Sequence, residues 1–101
     1  MLQLPAVVRM NEVPALWTRL RASLRVEAAQ VKNAAGNEVN MGANELQQFD
    51  SAVLTLLLSA ARLCADEDVQ LRLHGLPPKL QELGRVYGVA ELLWPELLQP
   101  D

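Results

Sequence analysis

The chain has 101 residues, half of them apolar, one cysteine and a net charge of −3. This suffices for one small domain with its own core, residues 1–101, and leaves no disulfide to staple it. Charges of both signs spread along the chain exclude the basic face of a nucleic-acid binder, and the longest apolar run, Ala52 to Ala61, is too short to span a bilayer.

Leu2 to Val8 is apolar enough for one or two short strands, with Pro5 marking an edge or a bend. From Asn11 the period changes. Val13, Leu16, Trp17, Leu20 and Leu24 recur at offsets of three and four, which predicts an amphipathic helix over residues 12 to about 28. Asn11 is placed to cap it, and Pro14 is tolerated in its first turn. Trp17 belongs to the apolar stripe, and the arginines at 19, 21 and 25 form a solvated face. Asn33 to Asn37, with Gly36, reads as a turn. Glu38 to Ala43 alternates as a strand with Val39, Met41 and Ala43 on one face. Asn44 to Phe49 reads as a connection.

A second helix is expected from Ser51 to about Ala65. It is apolar on more than one side and is therefore the most buried. Asp66, Glu67 and Asp68 form a solvated acidic turn, since no second cluster and no calcium-loop spacing accompany them. Val69, Leu71 and Leu73 alternate with Gln70 and Arg72 as a half-buried strand, and His74 to Pro78 is a loop. A third helix runs from about Pro78 to Tyr87, with Leu80, Leu83 and Tyr87 on one side and Gly88 as its stop. Leu92, Leu93, Trp94, Leu97 and Leu98 form an apolar tail divided by Pro95. It is either a short helix packed on the core or an exposed contact surface. Strands that alternate with helices imply an α/β domain with crossover connections.

Signatures of chemistry are missing. One histidine, His74, cannot make a zinc cluster. No Gly-rich phosphate loop opens a helix. Cys64 lies on an apolar helix with no base nearby in sequence, so it reads as a buried thiol in a reducing compartment. Ser51 lacks the glycine pattern of a nucleophile elbow. No cofactor is implied, and a non-enzymatic, cytoplasmic protein-binding domain is the expectation, with no secretory pattern at its start.

The informative junction is Phe49-Asp50-Ser51-Ala52, where an acid and a hydroxyl stand at a helix start. The first N–H groups of a helix have no internal partners, and its dipole favours negative charge there. Ser51 or Asp50 can cap the helix. The same position also suits a phosphate or a docking partner, and a capping residue can face a partner too.

At Phe49-Asp50-Ser51-Ala52-Val53-Leu54 the chain resembles the STAS domain family, the fold of bacterial anti-sigma-factor antagonists. The resemblance continues through Val69-Gln70-Leu71-Arg72-Leu73, Leu76-Pro77-Pro78-Lys79-Leu80 and Tyr87-Gly88-Val89-Ala90-Glu91-Leu92-Leu93. It implies a small mixed sheet with helices packed on it. Two positions depart from the pattern. Gly42 stands where an Asp often closes the strand, and Val53 stands where Gly or Ala is usual, adding bulk beside the Ser51 surface.

Within the family, Leu73-His74-Gly75-Leu76-Pro77 and Val86-Tyr87-Gly88-Val89 are most similar to the STAS subunits of Mla-type phospholipid ABC transporters. That resemblance implies a subunit that binds the transporter's ATPase and supports its assembly in phospholipid transport and lipid asymmetry. Such a subunit is peripheral to the inner membrane through its partner, without inserting. Asp50, Ser51, Thr55 and Arg62 would be the partner-binding residues. The alternative is an anti-sigma-factor antagonist, phosphorylated at Ser51 by an anti-sigma factor kinase. A small-ligand or lipid carrier is the third reading, and the helices' need for core argues against it.

Overall fold

Short apolar segments that alternate with amphipathic ones fold here as strands joined through helices. The computed structural model describes residues 2–95. Its elements are β1 (Leu2–Gln3), β2 (Val7–Val8), α1 (Val13–Asn33), β3 (Glu38–Gly42), β4 (Gln48–Phe49), α2 (Ala52–Asp66), β5 (Gln70–His74), α3 (Pro78–Val86) and α4 (Ala90–Leu93).

β3 is the centre of a three-stranded sheet of order β1-β3-β5, and both of its ladders are parallel. Leu2 lies opposite Met41, Val39 opposite Leu71, and Met41 opposite Leu73. A parallel pair cannot be closed by a hairpin and needs a long crossover. α1 lies in the first crossover and α2 forms the second. Both step across the sheet in the same direction, so right-handed connections put both helices on one face. They pack on each other there, α1 over β3 and α2 over β5.

The pleat sorts side chains accordingly. Val39, Met41, Ala43, Leu71 and Leu73 point at the helices and are buried. Leu20, Leu24 and Ala28 of α1 meet them, with Val53, Leu54, Leu56, Leu57, Ala60, Leu63 and Cys64 of α2. The opposite face carries Gln3, Asn40, Gln70 and His74, all exposed. Parallel sheets are normally covered on both faces. Here a polar ladder stands in for the second cover: Arg72 Nη1 donates to Glu38 Oε2 at 2.7 Å, and His74 Nε2 lies 2.7 Å from Asn40 Oδ1.

Several sequence expectations need correction. All ladders among the described residues are parallel, so the sheet is not mixed. α1 continues past residue 28 to Asn33, because Val31 extends the stripe of Leu24 and Ala28. Asn11 does not cap it. The first N–H groups, of Glu12 and Val13, donate to the Arg9 carbonyl instead. At its other end the expected turn is present, with Ala35 in the left-handed region (φ 60°) just before Gly36. The connection from Asn44 to Phe49 contains β4, which pairs with β2. His74 ends β5 rather than starting a loop.

Tyr87 is exposed, not part of the apolar side of α3, and Gly88 (φ 72°) follows it as the expected stop. The tail is packed at Leu93 and Trp94 and exposed at Leu92. Leu97 and Leu98 lie outside the described residues. Trp94 is 2% exposed, and its ring occupies the space a Cβ at Gly84 would need. Replacing Trp94 by Ala removes this anchor and is expected to cost about 3–5 kcal/mol, the usual loss for a buried aromatic. Urea unfolding followed by far-UV circular dichroism measures it. A loss below about 1 kcal/mol would mean that the cavity collapses or that Trp94 holds little.

Candidate functional site

The junction before α2 is built by the short β2–β4 pair. The Ala6 carbonyl accepts the N–H groups of Gln47 (2.8 Å) and Gln48 (2.9 Å), and Val8 lies opposite Phe49. Arg9 reinforces the pair through the Gln48 side chain. This brings the loop that enters α1 beside the loop that enters α2.

Asp50 joins them. Its Oδ1 accepts the N–H of Ala52 at 2.9 Å, and its Oδ2 accepts the N–H of Met10 at 3.1 Å. One carboxylate thus satisfies an orphan donor at the start of α2 and ties down the other loop. The negative charge also suits the positive end of the α2 dipole. Ser51 occupies the N-cap position but makes no capping bond with its side chain. It is half-buried at the surface. The two roles open at this junction therefore divide: Asp50 caps, and the Ser51 hydroxyl is left for the outside.

Thr55 and Arg62 are both exposed. Offsets of four, four and three place Ser51, Thr55, Ser59 and Arg62 in one stripe along the outer side of α2. Asp50 stands at the head of that stripe, so the four residues expected at the partner surface are brought together. Val53 is not. It is fully buried and adds bulk to the core rather than to the surface beside Ser51. Gly42 ends β3 opposite His74, and Gln3 lies against it. The acid beside Ser51 is Asp50.

Two features escape the sequence reading. Met10 is 70% exposed beside Asp50, an apolar side chain next to the helix start. A lone methionine between a strand and a helix has no period to reveal it. The second is a groove of about 290 Å³ between α1 and α2, lined by Trp17, Arg21 and Arg25 on one side and Ser59, Arg62 and Asp66 on the other, among others. Its two walls lie far apart in sequence.

Among the described residues, no group of three or more His, Cys, Asp or Glu could hold a metal ion. No helix of the described residues is long and apolar enough to cross a membrane. Cys64 is fully buried, and desolvation pushes its thiol up to about 11.

Two outcomes follow from this geometry. Asp50→Ala is expected to destabilise the fold by about 1–2 kcal/mol, since it removes a cap, whereas Ser51→Ala should change stability by less than about 0.5 kcal/mol. Paired urea titrations compare them, and equal losses would assign the cap wrongly. The raised thiol pKa means that the folded chain keeps the Cys64 proton after the unfolded chain has released its own. The Cys64 contribution to stability is therefore intact below pH 9 and falls as pH rises from 9 to about 11. Cys64→Ala should flatten that part of the stability curve, and an unchanged slope would contradict the assignment.

Comparison with known proteins identifies the arrangement. No curated protein and no solved structure matches the chain. A family model described as "Mlab, STAS domain" matches residues 1–99. That span contains the whole parallel sheet, both crossover helices and the Asp50–Ser51 junction, and the chain belongs to the STAS domain family, similar to its MlaB members.

Proposed function

We propose that this chain is a non-enzymatic STAS subunit that binds the ATPase of an Mla-type phospholipid ABC transporter and supports its assembly and activity. The observation that carries the reading is the family match over residues 1–99, joined to a helix start whose hydroxyl is not consumed by capping. Asp50 holds the first turn of α2 rigid. Ser51, Thr55 and Arg62 then face a partner from one preorganised surface, which lowers the ordering cost of association. Met10 adds an exposed apolar contact at the head of the same surface. Interfaces concentrate their energy in few residues, and a small hydroxyl at Ser51 permits close approach of a partner backbone.

A second reading has one observation in its favour. Ser51 makes no capping bond, so its hydroxyl is available as a phosphate acceptor. The chain would then act as an anti-sigma-factor antagonist switched by a kinase. A phosphate adds about −1.5 to −2 charges, which the helix dipole favours and Asp50 opposes. Incubation with the kinase and ATP, followed by intact-mass analysis, decides this alternative. An unmodified mass removes it.

For the leading reading, Ser51→Asp is expected to weaken binding to the purified ATPase by at least about tenfold, the effect of a like charge or bulk set into an interface centre. Circular dichroism should remain that of the wild type. Unchanged affinity in an isothermal titration would remove Ser51 from the interface. Failure of the wild-type chain to bind the ATPase would remove the function itself.

A further inference from the structure

The α1–α2 groove has a charge pattern that core packing does not require. Arg21 and Arg25 stand one turn apart on α1, and Arg62 faces them from α2. All three are exposed, and among the described residues none of them forms an ion pair or a side-chain hydrogen bond. Trp17 lies one turn before Arg21 and is only half-buried. Asp66 and Glu67 close the opposite end, where α2 stops. The two helices descend from the same side of the sheet, so they run in the same direction. The groove therefore reads in one order: aromatic, then three cations, then two acids.

Like charges gathered in this way repel one another, and no ion pair among the described residues neutralises any of the three arginines. Carboxylates supplied from outside would relieve it, and charge-assisted bonds to guanidinium are the strong kind. A concave seam between two parallel helices accepts the ridge of a third helix. The acids at the far end argue against a flat anionic membrane, which would meet them unfavourably, and a half-sunken Trp17 is poorly placed to enter lipid.

We infer that the groove receives an acidic helix of the ATPase partner, with two carboxylates one turn apart set against Arg21 and Arg25 and a basic residue against Asp66 and Glu67. This rests on the reading of the chain as an ATPase-binding subunit and extends its interface from Ser51 and Thr55 along the length of α2. The apolar edge of that helix lies on Trp17. The sequence of charges along the groove fixes which way the helix runs, since reversal would place like charges together.

The test compares wild type, R21E/R25E, R21Q/R25Q and K79E, the last an exposed site on α3 that does not line the groove. Binding to the purified ATPase is titrated across a range of salt. R21E/R25E is expected to lose at least about tenfold in affinity and most of its salt dependence, with R21Q/R25Q between it and wild type and K79E unchanged. Wild-type binding with R21E/R25E inside about twofold of it overturns the groove while leaving the ATPase reading intact.

Failure of wild type to bind the ATPase overturns that reading instead. The groove is then judged by a synthetic amphipathic helix carrying Glu pairs one turn apart, against the same helix with Gln. A shift of the Trp17 indole resonance with the Glu helix alone, lost in R21E/R25E, supports the acidic-helix site. An unmoved indole overturns it. Co-sedimentation of wild type, but not R21E/R25E, with phosphatidylcholine–phosphatidylglycerol vesicles also overturns it, in favour of a lipid-facing patch.

Discussion

Parallel pairing of β3 with β1 on one side and β5 on the other is the constraint from which the rest follows. Such pairs exclude tight turns, so each connection must be long enough to hold a helix. The handedness of crossovers then places α1 and α2 side by side on one face. This gives α2 a buried side, where Leu56, Leu57 and Ala60 meet the sheet, and an outer side on which Thr55 and Arg62 are exposed, Arg62 at the edge of the groove shared with α1. The surface proposed for a partner is the outer consequence of the same geometry that builds the core.

Asp50 links that geometry to the start of α2. A helix start needs acceptors, and a serine at this position would ordinarily supply one. Here the neighbouring carboxylate does so while also holding the backbone of Met10. The burden of stability is thereby shifted one residue away from Ser51. The Ser51 side chain is thereby left without a capping bond. The two short strands β2 and β4 matter for the same reason: they bring the entries of both helices together, and with them Met10, Asp50 and Ser51.

Much of this was legible in the residues. The alternation of Val39 and Met41, and of Leu71 and Leu73, marked strands whose inward faces are those observed. The period of Leu16, Leu20 and Leu24 marked α1, and the apolar breadth from Val53 to Cys64 marked the most buried helix. The acid and hydroxyl of Asp50-Ser51 marked the start of α2, which begins at Ala52. Less legible were the residues whose role depends on a distant neighbour. The two residues of β4 have no period, and they form a strand only because Ala6 and Val8 pass beside them. Asn11 looks like a cap by type, yet the Arg9 carbonyl reaches the same donors first. Val53 stands close to Ser51 in the chain, yet two residues along a helix is more than half a turn away, and its side chain is buried in the core.

The sequence by itself determined the number and kind of the main elements, the inward faces of the two long strands and the family, because these depend on local periodicity and on residues close together in the chain. Only the tertiary structure decided that Asp50 rather than Ser51 caps α2, that Trp94 fills the space at Gly84, and that Arg21 and Arg25 share a groove with Arg62. Each of these is a contact between segments whose separation along the chain, or whose choice among equivalent donors, is resolved by how the helices pack. Periodicity reports which side of a helix is buried, but not which residue of another element will stand opposite it.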